Sequence, residues 1–424
     1  MKVLWFTNQP LPPVIAAAGI NGSGIGGHWM TGLARHVSRR PGVELGVATA
    51  FPGLPDLEFE QEGVWYHAIG QPRRAPTFAG TPALLERCAA AVRRFDPDLI
   101  HFHGSERFFG LIKASGLVDV PAVVSLQGIL APYAAWRNFF GALSPWEVVR
   151  ATRIAELPMG LGLLHQYADM RRGARQEART LAAVEGVLGR TAWDEAWARR
   201  LSPAARYLSV GEILRPAFHQ IRWSLAQCER HSLIYTNAGS PRRGTENLLA
   251  AVAMLRPEFP GLRLRLAGVV SERSGYGRFL RRRIRQLGLT DRVEFLGYLD
   301  DTAMAGELVR AHAFVITSYM ENSPNSLAEA MLAGMPCIAS YVGGIPSMIE
   351  EGRTGWLFPV DDTPMLASRI RTVLADDVAA TRVGDAAHEA ARSRHDPELV
   401  TGQLLAAYAT VIGVAESDVG NGNR

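Results

Sequence analysis

Short β-branched and aromatic stretches alternate with amphipathic helical ones twice over along this chain, and few architectures accept that order. In the first half, strand candidates are Lys2–Thr7, Val43–Thr49, Val64–Ile69, Leu99–His103, Ala122–Leu126, Gly186–Leu188 and Arg206–Val210. Helix patterns such as Trp29–Arg39 and Pro82–Phe95 lie between them. A second series opens near Ser232, with strands at Leu233–Thr236, Leu262–Ala267, Val293–Leu296, Ala313–Thr317 and Cys337–Ser340. Its first helix, Thr245–Arg256, carries Leu248, Leu249, Val252 and Leu255 along one side. Strand–helix–strand alternation forces parallel pairing, because each crossover helix returns the chain to the same end of the sheet. At 424 residues the chain is too long for one core and fits two.

The expected fold is therefore α/β, with two facing doubly wound, Rossmann-like domains and a cleft between them. The domains are residues 1–215 and 216–385, and helices in 386–415 are expected to pack back toward the first domain. Glu350–Pro359 reads as a turn and hairpin-like excursion, and a polar tail begins about Ser417. Open parallel sheets bind ligands beyond the carboxyl ends of their strands, so the cleft is the expected site.

Composition narrows the partners. Hydrophobic residues make up 47% and charged residues 20%, a globular balance. The net charge of +4, from 45 basic and 41 acidic residues, is small for a nucleic-acid binder but suits diphosphates or an anionic membrane surface. Cys88, Cys228 and Cys337 stand far apart, with no disulfide or zinc spacing, which fits a reducing cytoplasm. Met1–Thr7 reads as a buried first strand, not a signal peptide, and no apolar run is long enough to span a bilayer.

One segment concentrates the chemistry. The strand Ala313–Thr317 runs into Ser318-Tyr319-Met320-Glu321-Asn322-Ser323-Pro324-Asn325-Ser326-Leu327-Ala328-Glu329. Ser323 then Pro324 predicts a helix start, with a hydroxyl at the N-cap and proline at the first helical position. The N–H groups of Asn325 and Ser326 and the positive end of the helix dipole would then receive a phosphate. Glu321 lies in the preceding loop. Glu329 lies inside the helix with its side chain leaning back toward the start. Both carboxylates can address one ligand at opposite ends of its diphosphate, a sugar at Glu321 and ribose hydroxyls at Glu329.

The pattern Glu321, seven residues, Glu329, followed by Ala330-Met331-Leu332-Ala333-Gly334-Met335-Pro336, resembles the signature of glycosyltransferase family 4, the retaining group with the GT-B fold. Val342-Gly343-Gly344-Ile345-Pro346 and Gly352–Pro359 resemble the next block of that family. The match covers most of the C-terminal half in order; the N-terminal half resembles the family in patches. The resemblance implies a hexosyltransferase with Glu321 as the catalytic carboxylate and no obligatory cofactor or metal. Its donor would be a nucleoside-diphosphate sugar, a UDP-sugar in preference to a GDP-sugar, and its acceptor a glycan, lipid-linked or small molecule. Residues 1–215 become the acceptor side and 216–385 the nucleotide-sugar side. The implied setting is glycan assembly at the inner face of a bacterial membrane, by a cytoplasmic or peripheral protein.

The family grips the donor diphosphate with an arginine near a strand end and a lysine before a glycine. In Asn237-Ala238-Gly239-Ser240-Pro241-Arg242-Arg243-Gly244, Arg243 takes the lysine position, and its guanidinium suits phosphate. Asn237 stands where the arginine is expected, with Arg242 as the compensating cation. Asn21–His28 resembles the glycine-rich loop of the family, so Gly26 and Gly27 would approach the donor phosphate or the acceptor, and His28 lies on the acceptor side. Gln127 occupies the place of a frequent active-site histidine; it can bond a sugar hydroxyl but cannot act as acid or base. His103 ends a strand on the acceptor side, whereas His101 reads as a core histidine. Gly189–Asp194 combines a strand end with a Thr-x-x-Asp cap, and Arg190 reaches toward the site. Asp96-Pro97-Asp98 reads as a turn, not a metal site, and the arginines of Arg278–Arg285 as a solvated face or a membrane contact. Two other readings share these residues: an epimerase of the same fold, and a non-catalytic partner subunit.

Overall fold

The strands are near-continuous apolar runs such as Val3-Leu4-Trp5-Phe6, none of it exposed, as strands covered on both faces must be. The computed structural model of the chain describes residues 1–20, 28–71, 80–152 and 162–413. Contacts divide it into two units.

The first unit comprises Met1–Ala131, Arg171–Arg215 and His395–Arg424. Its sheet holds β1 (Lys2–Thr7), β2 (Glu44–Pro52), β3 (Leu57–Gln61), β4 (Val64–Gln71), β5 (Leu99–His103), β6 (Ala122–Ser125), β7 (Gly186–Gly189) and β8 (Arg206–Ser209). The order is β3-β4-β2-β1-β5-β6-β7-β8. Pairing is parallel except at the edge, where β3 runs antiparallel to β4. That edge strand is absent from the sequence reading, because Leu57-Glu58-Phe59-Glu60-Gln61 has too few apolar residues to stand out. The helix Pro397–Ile412 belongs to this unit: Tyr408 is fully buried, and its hydroxyl meets Trp5 Nε1 at 2.9 Å and His101 Nδ1 at 2.6 Å.

The second unit comprises Pro132–Met170 and Pro216–Arg394. Its sheet holds β9 (Glu229–Thr236), β10 (Arg263–Ala267), β11 (Val293–Gly297), β12 (Ala311–Ile316), β13 (Cys337–Ser340) and β14 (Trp356–Phe358). The order is β11-β10-β9-β12-β13-β14, all parallel. β14 corrects the hairpin reading of Glu350–Pro359: the excursion ends in a strand paired in parallel with β13.

Pro132–Met170 departs from the expected boundary at residue 215. Phe139, Phe140, Leu143, Val148 and Ala151 are buried in one apolar cluster with Leu248, Tyr276 and Leu280 of the second unit. Burying two phenylalanines there is worth about 3–6 kcal/mol, which fixes where the segment packs.

Candidate functional site

Strand order in the second sheet reverses between β9 and β12, so the loops leaving their carboxyl ends diverge and open a place for a ligand. The β9 loop carries Arg242 and Arg243; the β12 loop carries Glu321. Two glycines let the loops close on one another. Gly244 holds φ +66°, and a Cβ there would lie 2.3 Å from the Thr317 carbonyl oxygen. Gly343 holds φ +51°, and a Cβ there would lie 1.9 Å from the Glu321 carbonyl oxygen. Any larger residue would push the Glu321 backbone out of place. Thr317 Oγ1 donates to the carbonyls of Arg243 and Gly244, both at 2.9 Å. Tyr319 N donates to Arg242 O at 2.8 Å, Ser340 Oγ to Ser318 O at 2.7 Å, and Gly344 N to Glu321 O at 3.0 Å.

Within this lattice Arg243 and Glu321 form an ion pair. Their side chains are 17% and 7% exposed, and Ser318 Oγ donates to the same carboxylate oxygen at 2.7 Å. Burial, together with Arg242 beside it, pulls the Arg243 guanidinium down to about 10, so it remains charged at neutral pH. The two groups read from sequence as gripping opposite parts of a ligand thus hold each other.

The helix after β12 runs Asn325–Ala333, with Pro324 at its N-cap and no side-chain cap. This corrects the expected start by one residue. Pro324 has φ −70° and ψ 119°, an extended conformation, and Leu327 N and Ala328 N donate to its carbonyl at 3.0 and 3.2 Å. Asn325 and Ser326 become the first two helical residues, both half-buried. Glu329 is 2% exposed, one turn into the helix, so the carboxylate pair is not a solvated face.

Asn237 is exposed, in the left-handed region at φ +61°, and Ala238 after it is fully buried. Neither supplies a cation; the positive charge of this loop comes from Arg242 and Arg243. Sequence reasoning missed the groups around them. Asp361, itself at φ +68°, forms an ion pair with Arg137 and accepts from the Tyr319 hydroxyl and from Asn247 Nδ2 at 3.0 Å. Val269 and Tyr298, at the carboxyl ends of β10 and β11, are 67% and 53% exposed. Each follows a strand-end glycine, Gly268 at φ +102° and Gly297 at φ +71°, a signal readable as Gly-aliphatic and Gly-aromatic pairs after a strand.

In the first unit, sheet order reverses at β1 and β5. His103 ends β5, 2% exposed, stacked on His101 at 3.7 Å, with Nε2 lacking a hydrogen-bond partner. Burial, with some help from Arg190, takes His103 down to about 3, so it is neutral. His101 bonds Tyr408 and Ser125 and is a satisfied core histidine. Arg190 pairs with Glu212 and donates to Leu126 O at 2.8 Å and to Gln127 Oε1 at 3.5 Å. These groups line one small cavity with Leu33, Val210 and Ile213. Arg190 therefore orients Gln127, its own charge neutralised by Glu212. Thr191 and Asp194 form the expected capping box. Asp96 caps its helix at φ 52° and Asp98 accepts from Lys2 N, both turn roles. Gly26 and Gly27 lie outside the described residues; His28 opens a helix, His28–Ser38. Among the described residues no cluster of acids, histidines or cysteines is arranged to hold a metal, and no helix is long and apolar enough to cross a membrane.

Residues 220–390 match the family described as Glycosyl transferases group 1. The phosphatidyl-myo-inositol mannosyltransferase of Mycobacterium leprae is 30% identical over 372 residues, 85% of this chain and 87% of that protein. A glycogen synthase of Mycobacterium tuberculosis is 28% identical over 200 residues, 46% of this chain; the chain spans about half (47%) of that relative's length. Among solved structures, sucrose-phosphate synthase from Thermosynechococcus elongatus superposes with TM-score 0.74 at 21% identity, covering 97% of this chain and 99% of that one. Anabaena HepE, in complex with UDP and glucose, superposes with TM-score 0.67 at 17% identity, covering 97% and 100%. The structures share the GT-B fold with this chain, and the near full-length sequence relative shares more than fold: the chain belongs to the group 1 glycosyltransferases.

Proposed function

We propose that the chain is a retaining glycosyltransferase that moves a hexose-type sugar from a nucleoside-diphosphate sugar to a glycan, lipid-linked or small-molecule acceptor. The observation that carries this reading is the half-buried Arg243 beside Glu321 at the β9/β12 reversal, next to the start of the helix Asn325–Ala333. Arg243, with Arg242, the N–H groups of Asn325 and Ser326 and the helix dipole, stabilises the leaving diphosphate as the bond to the anomeric carbon breaks. Glu329 takes the ribose hydroxyls and Glu321 the donor sugar, where it supports the positive charge developing at the anomeric carbon. The acceptor oxygen attacks from the side of the leaving group, and its proton departs with the diphosphate oxygen. Gln127 and neutral His103 are poor bases, consistent with that route. UDP is the favoured nucleotide, supported by the UDP complex of HepE. Gly26 and Gly27 are assigned to the donor, and His28, His103 and Arg190 to the acceptor side of the first unit.

Peripheral contact with an anionic lipid surface fits one patch of the second unit. The helix Pro145–Ala151 exposes Trp146 (65%), Val149 and Arg150 and packs against the helix Gly275–Gln286. The latter exposes Arg278, Arg282 and Arg285 opposite its buried Leu280 and Ile284. An aromatic anchor flanked by arginines is the chemistry of the lipid–water boundary.

The decisive experiment incubates the purified chain with UDP-hexoses and separates transfer from donor hydrolysis or epimerisation. Glu321→Ala should abolish turnover with an unchanged circular-dichroism spectrum; full turnover in that variant refutes the assigned role. UDP at 100 times its dissociation constant should add about 2.7 kcal/mol to stability, and a melt unmoved by any nucleoside diphosphate removes the reading.

A further inference from the structure

The second unit contains a segment, Pro132–Gly141, that reaches the loop carrying Arg242 and Arg243 at one end and Asp361, after β14, through Arg137. Tyr133 is 7% exposed, and the Arg242 guanidinium carbon lies 5.4 Å from the centre of its ring. Tyr133 is also within electrostatic reach of Arg243. Arg137 pairs with Asp361, which accepts from Tyr319 of the β12 loop and from Asn247 in the helix Thr245–Leu255 that follows the arginine loop. At Gly141 the backbone turns at φ +63°, and a Cβ would lie 2.6 Å from the Pro241 carbonyl oxygen and 2.8 Å from the Tyr319 ring. The segment is anchored by Phe139 and Phe140, whose rings pack at a tilt against Tyr167, with centroids 5.3 and 5.1 Å away.

Resting on the transferase reading, we infer that Pro132–Gly141 is a strap that aims the two donor-phosphate arginines, with Tyr133 as its positioning residue. A guanidinium on a flexible stem loses rotamer freedom when it grips a phosphate, and a ring face that already holds it removes part of that cost. Asn237 and Ala238 leave the strand end without a cation, so the site depends on Arg242 and Arg243 being held toward the ligand. The strap acts on donor binding, because what it touches is the phosphate arginine Arg242 and the Pro241 carbonyl of the same turn.

The test titrates UDP into the full-length protein by calorimetry and measures the Michaelis constant and turnover number for a UDP-hexose. Tyr133→Leu removes the ring and keeps an apolar side chain; it should weaken UDP about tenfold and raise the Michaelis constant equally, with the turnover number held. Tyr133→Phe keeps the ring face and should stay within about twofold of wild type. Arg137→Ala, a solvent-exposed change that leaves the core alone, should weaken UDP roughly threefold. A purely structural segment would lower the melting temperature of the nucleotide-free protein and leave the dissociation constant of the folded fraction unmoved, which overturns the inference. So does a Tyr133→Leu protein that binds UDP like wild type, or one that loses turnover instead of affinity. Wild-type protein that takes up no nucleoside diphosphate overturns the transferase reading, and the strap falls with it.

Discussion

Replacing Arg243 by methionine separates the structural role of the Arg243–Glu321 pair from its binding role. Glu321 would keep the Ser318 hydroxyl at 2.7 Å but lose its counter-charge in a side chain 7% exposed. Stripping one partner from a buried pair costs about 3–5 kcal/mol; with Arg243 17% exposed the lower end applies, about 3 kcal/mol. In a unit of this size that lowers the melting temperature by roughly 6–12 °C. Glu321→Gln keeps an acceptor for Ser318 and leaves Arg243 charged but unpaired. The double variant removes both charges, so it should be more stable than Arg243→Met alone, with a coupling of about 1–2 kcal/mol. UDP affinity tells the other half. Arg243→Met loses a charge-assisted contact of about 2 kcal/mol, roughly thirtyfold in the dissociation constant. Glu321→Gln should bind UDP at least as tightly as wild type, since the carboxylate no longer competes with the diphosphate for Arg243, and yet transfer nothing. Differential scanning fluorimetry and calorimetric titration of the four proteins complete the cycle. Additive melts, or a Glu321→Gln protein that loses UDP as severely as Arg243→Met, would refute the view that the carboxylate holds the phosphate's place.

Acid and alkaline stability should be governed by groups outside the donor site. Glu177 is raised to about 8 by burial, its oxygens receiving Ser105 Oγ at 2.6 Å and Leu130 N at 2.7 Å. The folded protein then holds a proton that the unfolded chain releases above 4.5, so stability falls as pH rises from there to about 8. Glu177→Gln, whose amide oxygen can accept from Leu130 N while its Nε2 donates to Ser105 Oγ, should raise the melting temperature at pH 8 while changing little at pH 5; parallel pH profiles would contradict this. His103, taken down to about 3, works in the opposite direction: the unfolded chain gains a proton below 6.5 that the folded one refuses, so stability drops as pH falls from 6.5 toward 3. Trp146→Ala should cut binding to phosphatidylglycerol vesicles several-fold in a sedimentation assay, and 0.5 M salt should release most of the wild type; salt-insensitive binding would mean that Arg278, Arg282 and Arg285 take no part.

Strands β1, β5 and β13 are legible to the residue because each is an apolar run ended by a polar or glycine-bearing loop, a signal contained in neighbouring residues. The helix Pro82–Phe95 is equally plain, capped by Thr81 and closed by Asp96 in the left-handed region. Glu321 and Glu329 stand out for the same reason, since strand, loop, proline and helix follow one another within a short stretch. The pairing of Glu321 with Arg243 is not legible, because that contact joins two strand ends far apart in sequence whose adjacency only the sheet order decides. Pro132–Gly141 hid for a related reason. Its helices, Leu130–Tyr133 and Trp136–Phe140, are too short for a 3.6-residue period to emerge, and its apolar residues are buried by partners from the second half of the chain.

The departure at Asn237 is best understood through that hidden segment. A cation at a strand end is held by the sheet beneath it, whereas Arg242 and Arg243 sit on a short 3-10 turn, Pro241–Arg243, whose stiffness has to come from elsewhere. Here it comes from Tyr235 and Thr317 bonding the Arg243 carbonyl, from Gly244 pressed on the Thr317 backbone, and from the Tyr133 ring under Arg242. Moving positive charge off the strand end onto a turn is tolerable only if the turn is clamped on both faces. It follows that an arginine one place further on, at residue 238, could not replace the one expected at Asn237: Ala238 is fully buried, and a guanidinium forced in there would break the core contact of the turn before it reached any ligand.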